Sequence, residues 1–321
     1  MAVYTEVSAE ALAVFLEGYE IGVAHSLKGI AEGVENSNYL LTTDRGPFLL
    51  TLYEKRVEEG DLPFFLGLME HLARRGVNCP QPVRARNGEA IGRLAGRAAA
   101  IVTFLDGLSV RRPTAAHAGE VGEALARMHE AGADFSIPRR NALTISSWPG
   151  LFAAAGARAD EVAPGLAQET RAQLAFLQQA WPRALPSGVI HADLFPDNVF
   201  FFADKISGLI DFYFACNDFL AYDLAICLNS WAFEDSGEYN LARGRAMIDG
   251  YARVRPLEPG EVEALPILAR GAALRFLLTR LVDWLNVPPG ALVKPHDPRE
   301  YLRKLRFHTQ ATSARDYGWR P

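Results

Sequence analysis

Two apolar runs of strand length, Asn38–Thr43 and Pro47–Tyr53, flank the polar triplet Asp44-Arg45-Gly46. That pattern predicts a β-hairpin. The loop before it, Gly33-Val34-Glu35-Asn36-Ser37, is small and polar. Leu62, Phe65, Leu68, Met69 and Leu72 then recur at helical spacing, with Asp61 as candidate N-cap, Arg74 and Arg75 in the last turn and Gly76 as the stop. Cys79-Pro80-Gln81-Pro82 forces an extended segment, and Ala98–Leu105 reads as a buried strand broken by Asp106-Gly107. Beyond it helices dominate. One is predicted over Thr114–Ala131, capped by Thr114, and another over Ile145–Trp181, interrupted at Gly156 and Pro164-Gly165. Helical patterns resume over Asp223–Leu285 with a break at Val254–Pro259. A strand-rich island, Val189–Phe214, sits among the helices, and the end of the chain, Ala311–Pro321, is expected to be poorly ordered. A sheet-and-helix start followed by a large helical part predicts an α+β fold in two lobes, whose cleft is where a ligand would bind.

Composition narrows the classes. A chain of 321 residues with formal net charge -5 lacks the basic excess that nucleic-acid binding needs. Three widely spaced cysteines, Cys79, Cys216 and Cys227, suit neither a disulfide scaffold nor a zinc cluster. Reduced, buried thiols in a cytoplasmic protein are the expectation. The N-terminal stretch carries acids and has no basic n-region, so it does not read as a signal peptide. No apolar run approaches the about 18–20 residues of a membrane span.

The chemistry concentrates in Gly188–Phe212. Apolar runs Val199–Phe202 and Ile206–Ile210 flank Ala203-Asp204-Lys205. A hairpin centred between Asp204 and Lys205 would set Asn198 opposite Asp211 at its open end; a bulge at Gly208 would shift that register by one. An amide oxygen and a carboxylate so placed suit Mg²⁺, which takes few hard oxygen donors and leaves room for phosphate. Asp193, five residues before Asn198, would stand beside them as the acceptor of a hydroxyl proton. Phosphoryl transfer asks for that combination of positioning, neutralised charge and an oriented nucleophile. Each residue alone could be a turn-former; the ordered set is what carries the reading.

His191-Ala-Asp193-Leu-Phe-Pro-Asp197-Asn198 followed by Ile210-Asp211-Phe212 resembles the catalytic loop and metal-binding motif of protein kinases, in the form used by aminoglycoside phosphotransferases and choline kinases. The resemblance spans most of the chain and implies a two-lobed protein-kinase-like fold. The N-lobe would cover residues 1–102 and the C-lobe residues 103–321. It implies ATP and Mg²⁺ as cofactors, Asp193 as catalytic base, and Asn198 and Asp211 as metal ligands. The backbone of the hinge strand, with Val102 and Phe104, would meet adenine, and Gly33, Asn36, Ser37 and Asn38 would cover the phosphates. Phrases such as FLLTLYEKR, DLPFFLGLMEHLARRG and LIDFYFACNDFLAYDLAICLNSW are similar to bacterial type II homoserine kinases. That narrower likeness implies homoserine as the hydroxyl substrate, on the route to threonine. Kinases of another small alcohol, such as choline, methylthioribose or an aminoglycoside, remain the alternative, with a non-catalytic nucleotide-binding module behind them.

One departure stands out. The phosphate-binding Lys or Arg of the hairpin's second strand is replaced by Thr51, and its Glu partner falls in the apolar Phe64-Phe65-Leu66. Lys28, Lys55 and Arg56 are candidate substitutes. His191 is expected to bond loop backbone, and Asp223 to cap a helix. For a substrate carboxylate, Arg275 and Arg280 of the late helix are candidates, with Arg280 spaced to stack on Trp284. Tyr213 and Asn217 are further candidates for substrate contact. The oligomeric state is not legible.

Overall fold

The computed structural model describes residues 5–30, 36–54, 57–287 and 295–321. Helix α1 (Ala9–Leu16) and strand β1 (Ala24–Gly29) precede the hairpin, which is formed by β2 (Ser37–Thr43) and β3 (Gly46–Leu52). Buried and half-buried positions alternate along β2, as a strand with one covered face requires. The turn is tighter than expected. Thr43 pairs with Gly46, so only Asp44 and Arg45 span it, and Gly46 takes φ +114°. Helix α2 (Leu62–Arg74) follows, with its five expected apolar positions buried. Asp61 makes no cap hydrogen bond; a short 3-10 turn and Pro63 start the helix instead. Strands β4 (Gly92–Leu94) and β5 (Arg97–Thr103) complete an antiparallel sheet in the order β1-β2-β3-β5-β4.

The remainder is helical around short strand pairs. In order come α3 (Ala115–Ala131), α4 (Trp148–Ala155), α5 (Leu166–Ala180), β6 (Ser187–Ile190), β7 (Val199–Phe202), β8 (Lys205–Leu209) and β9 (Cys216–Phe219). They are followed by α6 (Leu220–Trp231), α7 (Leu241–Val254), α8 (Pro259–Leu285) and α9 (Pro298–Gln310). Thr114 caps α3 as expected, accepting from His117 N, while the His117 ring accepts from Thr114 N. One face of the sheet packs with α1 through Leu12, Leu41, Leu50 and Leu52. The other joins α2 and the helices in a single core that runs from Tyr53 and Phe65 to Leu277 and Tyr317. The three cysteines are buried and free, and burial pushes the Cys79 and Cys216 thiols up to about 12. Among the described residues no helix is long and apolar enough to cross a membrane.

Helices α3 and α7 touch backbone to backbone. A Cβ on Gly122 would lie 2.1 Å from Met247 O, and one on Gly250 would lie 2.2 Å from Gly119 O. Only glycine permits that approach. It brings His129 of α3 within 2.8 Å of the Tyr251 hydroxyl of α7, and that pair supports the active loop described below.

The expectation of a disordered C-terminus is wrong. Tyr317 is fully buried, and its hydroxyl bonds His308 Nδ1 at 2.8 Å. The Asn229 amide nitrogen donates to Ala225 O and Ala269 O, so its oxygen must accept from His308 Nε2, at 3.0 Å. His308 Nε2 is thereby fixed as a donor. Burial, then the charges of Lys304 and Arg270, lower its pKa to about 3. The unfolded ring titrates near 6.5, so stability from the neutral form is complete above that pH and is lost as pH falls towards 3. At pH 5 the cost is about 2 kcal/mol. Urea unfolding of the wild type and His308→Gln at pH 7.5 and pH 5 checks this. The difference between the two pH values should shrink by about that amount in the variant. An unchanged difference would remove His308 from the account.

Candidate active site

The chain leaves β6 at Ile190 and enters β7 at Val199, and the loop between them holds Asp193 and Asn198. A loop with a buried backbone must have its polar groups met. Here they are met from four directions. Asp223 accepts from His191 N at 2.7 Å and from Ala192 N at 2.8 Å. Arg275 donates to Ala192 O at 2.8 Å, and Trp231 donates to Leu194 O at 2.8 Å. His191 Nε2 donates to Ile210 O at 3.0 Å, tying the loop to the end of β8. These bonds hold Ala192 at φ 62°, a left-handed conformation that costs an L-residue about 1–3 kcal/mol.

Asp223 was expected to cap a helix. It does not, because α6 starts earlier, at Leu220, and the carboxylate turns to the loop. It is fully buried and also bonds His129 Nε2 at 3.0 Å. Burial alone would push its carboxyl up; the His129 bond and charge outweigh that and hold it below the usual carboxylate range. His191 fits its expected structural role. It is buried, its Nδ1 has no partner among the described residues, and burial lowers its pKa despite the nearby Asp223 charge.

The β7–β8 hairpin differs from its expected register. Ala203 and Asp204, both at positive φ, form the turn, so Phe202 pairs with Lys205. The ladder slips by one residue between Phe200 and Phe201. The bulge has a cause. Asn78 donates to Ser207 O and accepts from Leu209 N at 2.9 Å, and Leu105 approaches so closely that a Cβ on Gly208 would lie 2.6 Å from its Cδ1. The ladder therefore ends with Ile210 N on Asn198 O at 3.0 Å, and Asn198 faces Ile210, one residue short of Asp211. Asp211 follows at φ 63°, exposed at the hairpin mouth.

The donor set suits a small hard cation. Asn198 Nδ2 donates to Asp193 O at 2.8 Å, with Asp193 Oδ2 at 3.4 Å. With the nitrogen so committed, the Asn198 oxygen is the acceptor left for a metal. The Asp193 carboxylate lies beside it, Asp211 follows the last bonded residue of the hairpin, and a set of few hard oxygens suits Mg²⁺ bound through phosphate.

The residues expected to bind nucleotide are less uniform. Gly33, Lys55 and Arg56 lie outside the described residues, and Lys28 is exposed on β1. The Asn36 side chain accepts from Glu54 N, the Ser37 hydroxyl donates to Glu54, and the Asn38 oxygen accepts from Thr51 at 2.8 Å. Their side chains are thus engaged within the sheet's open end. Val102 is buried opposite Leu49, whereas Phe104, beyond the end of β5, is exposed.

The position of the missing ion pair is filled by rings. Thr51 is buried on β3, and Tyr53, two residues on, meets Tyr213 hydroxyl to hydroxyl at 3.1 Å. Phe65 of α2 packs edge-on to Tyr213, and the Arg139 guanidinium lies 4.7 Å from the Phe65 ring. Arg139 donates to Asp61 at 2.7 Å and to Ala215 O at 3.0 Å. It therefore joins the start of α2 to the segment that follows Asp211, a role that no local pattern in the sequence shows. Burial pushes the Tyr213 hydroxyl up to about 12, so it stays neutral and is part of this stack. Asn217, also a substrate candidate, accepts from Arg139 N at 2.8 Å.

The two late-helix arginines diverge. Arg280 does not stack on Trp284. It lies over Tyr301 at 4.5 Å and bonds Glu300 at 2.6 Å, with Lys304 on the same carboxylate at 2.6 Å. Burial opposes ionisation of Glu300, yet the two cations hold it down to about 2. Arg275 is buried against the active loop and has no carboxylate partner among the described residues.

The model of the phosphotransferase enzyme family matches residues 26–257. The chain belongs to that family. This phosphotransferase is 66% identical over 321 residues to a homoserine kinase of Methylobacterium sp. (strain 4-46), covering all of both chains. It is 64% identical over 318 residues to a homoserine kinase of Azorhizobium caulinodans, covering 99% of each. A microcompartment-associated aminopropanol kinase shares its fold with a TM-score of 0.71 at 17% identity, over 98% of this chain and 99% of that one. A choline kinase from Cryptosporidium parvum Iowa II does so with a TM-score of 0.67 at 14% identity, over 94% and 95%. The fold is the two-lobed protein-kinase-like α+β fold, and membership of a kinase family implies use of ATP.

Proposed function

We propose that this phosphotransferase moves the γ-phosphoryl group of ATP onto the hydroxyl of L-homoserine, giving ADP and O-phospho-L-homoserine. Full-length identity with homoserine kinases supports the acceptor. The observation that carries the chemistry is the loop that presents Asp193 beside Asn198, held at His191, Ala192 and Leu194 by Asp223, Arg275 and Trp231. Residues 1–102 would cover the nucleotide, with Val102 and Phe104 at adenine, and residues 103–321 would supply the loop and the acceptor site. Asp193 accepts the hydroxyl proton as the oxygen attacks γ-phosphorus and the bond to the ADP oxygen breaks. Asn198 and Asp211 would hold Mg²⁺, which supplies neutralisation of phosphate charge. Phosphate contacts come from backbone N–H groups near Asn36–Asn38, because Thr51 carries no charge.

ADP release with a panel of alcohols tests the acceptor. L-Homoserine should exceed choline, methylthioribose and an aminoglycoside in kcat/KM by well over tenfold. Preference for one of the others would leave a kinase with a different substrate. Nucleotide binding without ADP release on any of them would leave a binding module.

A further inference from the structure

Arg275 presents a chemical anomaly. A charged side chain is almost never fully buried unless it is paired, because desolvation of an ion is costly without a counter-charge. Arg275 is 4% exposed, yet no carboxylate lies within ion-pair distance of it among the described residues. One of its five N–H donors is used, by Ala192 O at 2.8 Å. The guanidinium sits 4.0 Å from the Phe276 ring centre and 5.5 Å from that of Phe214, which shield its face and leave its edge for a partner. Two tyrosine hydroxyls within electrostatic range of it, Tyr222 and Tyr301, are buried and have no hydrogen-bond partner among the described residues. The position is next to the reacting centre, since Ala192 directly precedes Asp193. Nearby cations among the described residues are spent: Arg280 and Lys304 share Glu300, and Arg139 holds Asp61.

We infer that Arg275 is the residue that reads the substrate's carboxylate, supplying by its planar fork the counter-charge that the fold withholds until an acidic alcohol is bound. The inference rests on the proposed use of homoserine and assigns its acid group to one side chain. A planar guanidinium meets a carboxylate with two parallel bonds, which an ammonium group cannot reproduce. Because the same guanidinium grips Ala192 O, the acid end of the substrate and the loop that bears Asp193 are fixed by one group. The hydroxyl is thereby set at a defined reach from the base. Arg280, the other candidate, is a structural ion-pair member.

The test compares L-homoserine with 3-amino-1-propanol, the same alcohol without its carboxylate, on the wild type, Arg275→Gln, Arg275→Lys and Arg280→Gln. In the wild type kcat/KM should favour homoserine by about ten- to a hundredfold or more, the range for a charge-assisted pair. Arg275→Gln should lose most of that ratio through KM for homoserine, with KM for ATP nearly unchanged. Arg275→Lys keeps a donor for Ala192 O and a charge, so it should fold and turn over, with the ratio reduced by less. Arg280→Gln should keep the ratio. If Arg275→Lys loses activity on both alcohols by the same factor, Arg275 only holds the loop and the inference is overturned. Collapse of the ratio in Arg280→Gln alone would place the carboxylate there and overturn it too. A wild type that does not favour homoserine brings down the proposed substrate itself, a result separable from the other two.

Discussion

Asp193→Asn is expected to slow turnover by roughly 10²–10⁴-fold in kcat while leaving KM for ATP close to that of the wild type. The substitution keeps size and removes basicity. Asp193 is half-buried in a loop whose backbone is fixed independently of its side chain, by Asp223, Arg275 and Trp231. The Asn198 amide bonds the Asp193 main-chain oxygen, a contact that asparagine at 193 preserves. The loop should therefore hold its shape while the attacking hydroxyl loses its proton acceptor. Steady-state kinetics with ATP and homoserine varied in turn provide the check. A fall confined to KM for ATP would make Asp193 a nucleotide-positioning residue.

Asp211→Ala is expected to abolish measurable turnover at every Mg²⁺ concentration tried, with thermal unfolding little changed. The β7–β8 ladder does not need this side chain, because Asp211 is exposed and sits just past the last ladder bond, Ile210 N to Asn198 O. Alanine at φ 63° is no easier than aspartate, so a modest loss of stability of about 1 kcal/mol is the most that the backbone implies. The catalytic loss is of another order, because without the carboxylate the phosphate charge in the transition state goes uncompensated. Near wild-type activity at saturating Mg²⁺ would remove Asp211 from the metal site.

The parts of the site that could be read from the sequence were those set by residue type and short spacing. His191, Asp193, Asn198 and Asp211 lie within one loop and hairpin, and their order names the chemistry before any contact is known. The β2–β3 hairpin and α2 were equally legible, since alternation and a 3.6-residue period are local signals. What escaped was whatever a distant residue decides. The one-residue slip of the β7–β8 ladder depends on Asn78 and Leu105, more than 100 residues upstream. Asp223 looked like a cap because nothing local shows that its carboxylate faces His191, 32 residues away. The tail looked disordered because its order comes from His308 and Asn229, not from its own pattern. Arg139 gave no local signal because its partners, Asp61 and Ala215, are more than 70 positions away in the chain. The absent ion pair was legible; the aromatic stack that fills its place was not, because Phe65, Tyr53 and Tyr213 come from three separate elements.

Phosphorus NMR of the reaction mixture tests the central claim most directly. With ATP, Mg²⁺ and L-homoserine, a phosphomonoester resonance should grow in step with ADP, its phosphorus coupled to the terminal methylene of the amino acid. It should be absent when Asp193→Asn replaces the wild type over the same period. ADP accompanied only by inorganic phosphate, or no ADP at all with homoserine present, would contradict transfer to the homoserine hydroxyl.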